Sequence, residues 1–166
     1  MSNTAVMAFG EETTSKVAAT IASKLNADLI VNEKMLDGAT VVVAGTHVRM
    51  GKFNKRYIRF VKKYAAKVRI YTFIVGAEIE KKQKYVDLAE TLSGGKAWYV
   101  WGELNANKAK GLKKFALQAF IDGRRQDGLP TPRLLDKEIA ADCNNLPFKI
   151  PWPTLGNGLF FPLFVI

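Results

Sequence analysis

"ATVVVAGTHVRMGKFNKRYIRFVKKYAAK" (Ala39–Lys67) changes its period halfway along. The first part, Ala39 to Gly45, is an apolar, largely β-branched run. Such a run fits a strand covered on both faces, as in a parallel sheet under helices. The second part puts Tyr57, Phe60, Val61 and Tyr64 on one helical face and most of its lysines and arginines on the other. A buried strand feeding an amphipathic helix is the opening half of a strand–helix–strand crossover.

Working outward, "TAVMAF" (Thr4–Phe9) has strand length, and "SKVAATIASKL" after it spaces Val17, Ile21 and Leu25 four apart, as a helix does. "ADLIVNE" reads as a second strand and "VRIYTFIVGA" as a fourth. "KKQKYVDLAETLSGG" predicts a helix with Tyr85, Leu88, Ala89 and Leu92 inward, stopped by a glycine pair. "KAWYVWGEL" reads as a fifth strand, with Trp98 and Val100 on one face and Tyr99 and Trp101 on the other. All four pack as core by default, and Trp101, at the strand end, could border a ligand. A last helix places Leu112, Phe115, Ala116, Ala119 and Phe120 on one stripe. Strict alternation of strand and helix predicts a mainly parallel sheet with helices on both faces. Ligands of such sheets sit beyond the carboxyl ends of the strands, where the strand order reverses.

After Asp122 the pattern changes. "GRRQDGLPTPRL" reads as a loop and "LDKEIAADC" as a short helix capped near Asp136. Ile150 to Ile166 carries no charge and contains Pro151, Pro153, Gly156, Gly158 and Pro162, which oppose a regular helix. The expected division is a domain over residues 1–146 and an apolar tail over 147–166. The tail is expected to pack on the domain or on a homodimer partner, with shallow peripheral membrane contact as the runner-up.

The chain has 166 residues, 48% of them hydrophobic, and a mean hydropathy of −0.03. That composition suits a soluble domain with its own core. Cys143 is the only cysteine, so no internal disulfide forms; it reads as a small buried hydrophobe in a reducing, cytoplasmic setting. One histidine and one cysteine leave no zinc site, and no metal is expected. No signal-peptide pattern and no apolar run of membrane-spanning length occurs. GxSxG, the phosphate-loop pattern GxxxxGK[ST], CxxC and GxGxxG are all missing, so hydrolase, nucleotide-kinase, thioredoxin-like and dinucleotide-binding readings lose support.

The net charge of +10 attracts anions. It is unevenly placed. No Asp or Glu lies between Gly38 and Ala77, whereas Arg49, Lys52, Lys55, Arg56, Arg59, Lys62, Lys63, Lys67 and Arg69 all do. A solvated helix face is the plain reading and an anion-attracting surface the sharper one. Nucleic acid is not favoured, because the aromatics at 57, 60 and 64 fall on the inward stripe.

A strand ending in Ala44-Gly45-Thr46, a loop with Gly51-Lys52-Phe53 and a basic amphipathic helix together resemble the flavodoxin-like domains. Within that group, "GTHVRMGKFNKRYIRFVKK", the step Trp101-Gly102-Glu103-Leu104 and the helix "DKEIAADC" are similar to the menaquinone-dependent protoporphyrinogen dehydrogenases. The likeness spans roughly residues 4 to 146 and is specific at 44–63. It implies an α/β three-layer sandwich with a five-stranded parallel sheet in the order 2-1-3-4-5. It also implies an FMN-binding redox protein, either an oxidoreductase of that type or an electron carrier, with a quinone or a redox protein as partner. The FMN phosphate would lie in the first loop, at Gly10, Thr13, Thr14 and Ser15. The ring would lie between Thr46, His47, Val48, Arg49, Met50, Gly51, Lys52 and Phe53 on one side and Gly76, Ala77 and Glu78 on the other, with Trp101 to Glu103 further out.

The first loop leaves two readings open. Phe9-Gly10 and the hydroxyls of Thr13, Thr14 and Ser15 suit a phosphate held at a helix N-terminus. A second glycine is missing, the loop is about two residues short, and Glu11 and Glu12 stand in it. Either the hydroxyls hold the phosphate while the glutamates face water, or a Ser or Thr only caps the helix. In the second case the domain is a binding or structural module without flavin. His47 is the one candidate acid–base residue, or a hydrogen-bonding or stacking neighbour of a flavin. Arg49 and Lys52 could stabilise a reduced flavin or pair with an anionic substrate.

Overall fold

The computed structural model describes residues 3–10, 12–102 and 110–130. Its parallel sheet is built around β1 (Thr4–Phe9), flanked by β2 (Asp28–Ile30) and β3 (Val41–Arg49). Beyond β3 lie β5 (Arg69–Gly76) and then β6 (Ala97–Trp101). The order β2-β1-β3-β5-β6 is that of the flavodoxin-like doubly wound fold, and it reverses between β1 and β3.

Period-two alternation sends successive side chains of each strand to opposite faces. One face gathers Val6, Val43, Phe73, Trp98 and Val100, with Val17, Ala18 and Ile21 of α1 (Glu12–Leu25) packed into the same cluster. The other gathers Met7, Phe9, Val42, Ala44 and Ile74 under α2 (Lys55–Tyr64) and α3 (Lys82–Ser93). Tyr57, Phe60 and Val61 of α2 and Ala89 of α3 have no solvent exposure at all. Burial of a side chain the size of Val61 or Phe60 stabilises by roughly 1.5–3 kcal/mol, which is why the α2 stripe fixes this layer. The alternation expected for the last strand holds: Trp98 and Val100 lie in the α1 cluster, and Tyr99 packs against the other.

Three expectations are corrected. The alternation of strand and helix is not strict. Residues 31–40 leave too little chain for a regular crossover helix, and only a 3-10 turn forms, Glu33–Leu36, capped by the Asn32 side chain. The third strand does not end in a loop. It runs on to Arg49, turns at Met50 and Gly51, and returns as a short antiparallel arm, β4 (Lys52–Phe53). Both turn residues have positive φ, 51° and 74°, as a two-residue hairpin that matches strand twist requires. The five-stranded parallel sheet stands as expected, and β4 adds a sixth, antiparallel strand beside β3.

The third correction concerns α4 (Leu112–Gln126). The apolar stripe expected on it does not face the core: Leu112 is 90% and Phe115 77% exposed. Ile121 and Arg124 are the buried positions instead. Arg124 makes a two-pronged ion pair with Glu80, at 2.9 and 3.1 Å, and also donates to the Pro130 carbonyl. A guanidinium fork matched to a carboxylate sets the docking register that the apolar pattern did not. Among the described residues, no helix is long and apolar enough to cross a membrane. Residues 131–166, with Asp136, Cys143 and the apolar tail, lie outside the described residues.

Candidate functional site

The strand order reverses between β1 and β3, so their carboxyl ends define the crevice. β1 ends at Phe9, opposite Thr46, and gives way to α1 within two residues, Gly10 and Glu11. Gly10 has no room for a side chain. A Cβ there would stand 2.7 Å from the Thr14 Cβ and 2.9 Å from the His47 Nδ1. Gly10, Thr14 and His47 are thus brought together at the crevice floor. His47 Nδ1 is buried there without a hydrogen-bond partner among the described residues.

The expected hydroxyl cradle is distributed differently. Thr13, Thr14 and Ser15 all belong to the first turn of α1, not to a loop. Helical geometry turns them apart: Thr14 is buried, Thr13 half-buried and Ser15 exposed. Glu12 lies 3.8 Å from Lys16, one turn along, and both are exposed. Glu11 lies outside the described residues.

β3 outlasts its neighbours. Its last partner in β5 is reached at His47, opposite Val75, so Val48 to Phe53 project beyond the sheet as a hairpin. Val48 pairs with Phe53 and Arg49 with Lys52. Phe53 is buried against Tyr57 and Tyr85. Arg49, Met50, Gly51 and Lys52 are exposed. The Thr46 hydroxyl accepts from the Asn54 backbone at 3.4 Å, and Asn54 caps α2 by accepting from the Arg56 backbone at 2.8 Å.

The facing segment, Gly76 to Glu78, is clamped by aromatic side chains. Tyr99 donates to the Glu78 carbonyl and Trp101 Nε1 to the Ala77 carbonyl, each at 3.1 Å. Tyr85 donates to the Glu78 carboxylate at 3.4 Å, and Lys81 pairs with the same carboxylate. Tyr99 lies directly over Gly76, where a Cβ would fall within 2.9 Å of its ring. Burial raises the Tyr99 hydroxyl far above its ordinary pKa and pushes Tyr85 the same way. Both phenols therefore stay protonated as donors at neutral pH. This clamp escaped the sequence reading. Its one visible signal was Tyr99 and Trp101 sharing a strand face.

Among the described residues, no three His, Cys, Asp or Glu side chains group to hold a metal. A cavity of about 590 Å³ opens at the opposite, amino-terminal edge of the sheet, between Asn3, Thr40, Lys67, Arg69 and Ser93. It is remote from the crevice, and the topology gives it no ligand role.

No protein-family model matches the chain, and no curated protein matches it. Several solved structures are similar in outline. A candidate flavoprotein of Bacteroides eggerthii shares 12% identity over 74% of this chain and 98% of its own, with a TM-score of 0.49. Rubredoxin oxygen:oxidoreductase of Desulfovibrio gigas shares 12% over 86% of this chain but 36% of its own, with a TM-score of 0.46. A short-chain flavodoxin associated with a non-canonical PDU bacterial microcompartment shares 14% over 75% of this chain and 96% of its own, with a TM-score of 0.43. At these scores the flavodoxin-like assignment stands on the strand order of the chain itself.

Proposed function

We propose that this chain is a flavodoxin-like FMN-binding redox protein, with its cofactor in the crevice beyond β1 and β3. The carrying observation is the buried His47 Nδ1, which has no hydrogen-bond partner among the described residues, beside Gly10 and Thr14. An unpaired buried polar atom costs about 1–3 kcal/mol, so a ligand that supplies the bond is favoured. The residues present fit such a group. The first turn of α1 offers backbone N–H groups to a phosphate, as helix N-termini do, with Thr13 and Ser15 as nearby hydroxyls. His47 would bond a polar edge of the ligand, while the β3–β4 hairpin and Gly76–Glu78 would flank the ring.

Bound FMN supplies the one- and two-electron chemistry that side chains lack. The protein contributes position and charge. The clamped Gly76–Glu78 segment gives a fixed wall, and Arg49 and Lys52 favour negative charge nearby. A protoporphyrinogen-type oxidation with a quinone acceptor is the finer form of this proposal. It rests on the resemblance of residues 45–63, and Arg49 or Lys52 would then meet a substrate carboxylate. The runner-up is a flavin-free binding module. It is favoured by the two-residue turn between β1 and α1 and by the inward Thr14, which leave few side-chain donors for a phosphate.

The test is a visible spectrum of the purified protein, then FMN titration of the apoprotein followed by flavin fluorescence. Saturable micromolar binding, weakened about tenfold by His47→Ala through loss of one hydrogen bond, supports the flavin reading. A folded protein that shows no saturation at millimolar FMN selects the flavin-free module.

A further inference from the structure

The hairpin and α2 gather several features that oppose stability. Lys55 and Arg56 occupy the first turn of α2, which contains no acidic residue, so both face the positive end of the helix dipole. Lys55 and Arg59, and again Arg59 and Lys63, are like charges four apart on one exposed face. Among the described residues, Lys63 is the one of these with an acidic partner, Glu33 at 3.0 Å. At the hairpin tip, Met50 holds a left-handed backbone, φ 51°, which side chains other than glycine and asparagine resist. Its side chain is 91% exposed, between the cations Arg49 and Lys52.

A strained turn that holds an apolar side chain in water, flanked by the exposed cations Arg49 and Lys52, has the anatomy of an interface: an apolar anchor with a charged rim. We propose that the β3–β4 hairpin and the outer face of α2 form a docking surface for an acidic protein that offers a pocket to Met50. This surface does not depend on a flavin being bound. Its shape favours a protein over the other anions. From Asn54, α2 runs back along the sheet for ten residues, about 15 Å, to Ala65–Lys67 at the opposite edge. A flat bilayer that met Met50 would leave Lys62 and Lys63 beyond the screening length of about 8 Å. Single-stranded nucleic acid wants exposed aromatic platforms, and Tyr57 and Phe60 are buried. A folded acidic partner can follow both the tip and the helix face.

The test places a photo-crosslinking p-benzoylphenylalanine at position 50 in the full chain, in cells of its source. The control carries it at Leu88, which is 43% exposed on α3. The expected result is one dominant protein adduct from position 50 and not from position 88, with an isoelectric point below about 5. That protein, once purified, binds the wild-type chain. Arg56→Glu with Arg59→Glu weakens the binding at least about tenfold, as does raised NaCl, and Met50→Ser weakens it at unchanged salt dependence. Both variants retain the wild-type circular dichroism, because the changed side chains are exposed. Adducts to lipid or nucleic acid, equal adducts from both positions, no adduct at all, or reconstituted binding indifferent to the charge reversal would each overturn the proposal.

Discussion

β1 and β3 lie side by side, yet they leave the sheet in opposite ways. β1 turns into its helix within two residues and buries what it carries: Gly10, Thr14 and the ring nitrogen of His47 share one small volume. β3 overshoots, turns at Met50-Gly51 and returns through Phe53, leaving Arg49, Met50 and Lys52 in water. The tight junction is limited by volume and the long one by charge and backbone strain. Changes in the first should therefore destabilise, whereas changes in the second should stabilise.

Gly10→Ala is the strongest way to break that contrast. Overpacking of this kind costs typically 1–3 kcal/mol, and the upper end is expected because two side chains would have to move. Urea denaturation measures it, and an unchanged midpoint would show that the junction is looser than described. Tyr57→Phe probes the ground beneath the long junction. The Tyr57 hydroxyl is 2.9 Å from that of Thr72, both residues being fully buried. Its loss leaves Thr72 unpaired, for about 1–2 kcal/mol.

The same phenol gives a pH signature. Burial pushes it from 10.0 up to about 12, the Thr72 hydrogen bond acting in the other direction. Below pH 10 the native and unfolded chains both keep the proton. Between pH 10 and 12 the unfolded chain loses it first, so stability falls by up to about 1.4 kcal/mol per pH unit. The Phe variant should show a shallower alkaline decline, measured by denaturation at several pH values; Tyr99 and Tyr85, shifted the same way, supply the remaining slope.

At the exposed junction the sign reverses. Met50→Asn places Asn-Gly in the two-residue turn and should stabilise by about 1 kcal/mol, read as a raised melting temperature. A neutral result would mean that the strain is relieved elsewhere in the hairpin. Lys55→Glu puts an anion at the α2 N-terminus and should add about 0.5 kcal/mol at low ionic strength, a gain that shrinks with salt. A gain indifferent to salt would have another origin.

The sheet was legible because Val41–Gly45 and the α2 stripe obey one constraint each, burial on two faces and burial on one. The crossover at 31–40 was misread because strand–helix alternation was extended over a segment too short to hold a helix. The hairpin had a readable signal, an X-Gly dipeptide between Val48 and Phe53, but the positive φ of Met50 hid behind a residue that rarely adopts it. The α4 stripe misled for a different reason: periodicity specifies a helix, and the surface that receives it is decided by distant partners, here Glu80. In the crevice, residue types near the first strand were visible, but helical rotation, which buries Thr14 and exposes Ser15, was not.

The Arg124–Glu80 fork has a consequence for the order in which the chain opens. Apart from this pair and Ile121, α4 keeps most of its side chains in water. In native-state hydrogen exchange its amides should therefore leave protection as one early cooperative unit, ahead of α2, whose underside is sealed by Tyr57, Phe60 and Val61. Glu80→Gln would bring that opening forward while the exchange of the sheet stayed where it was.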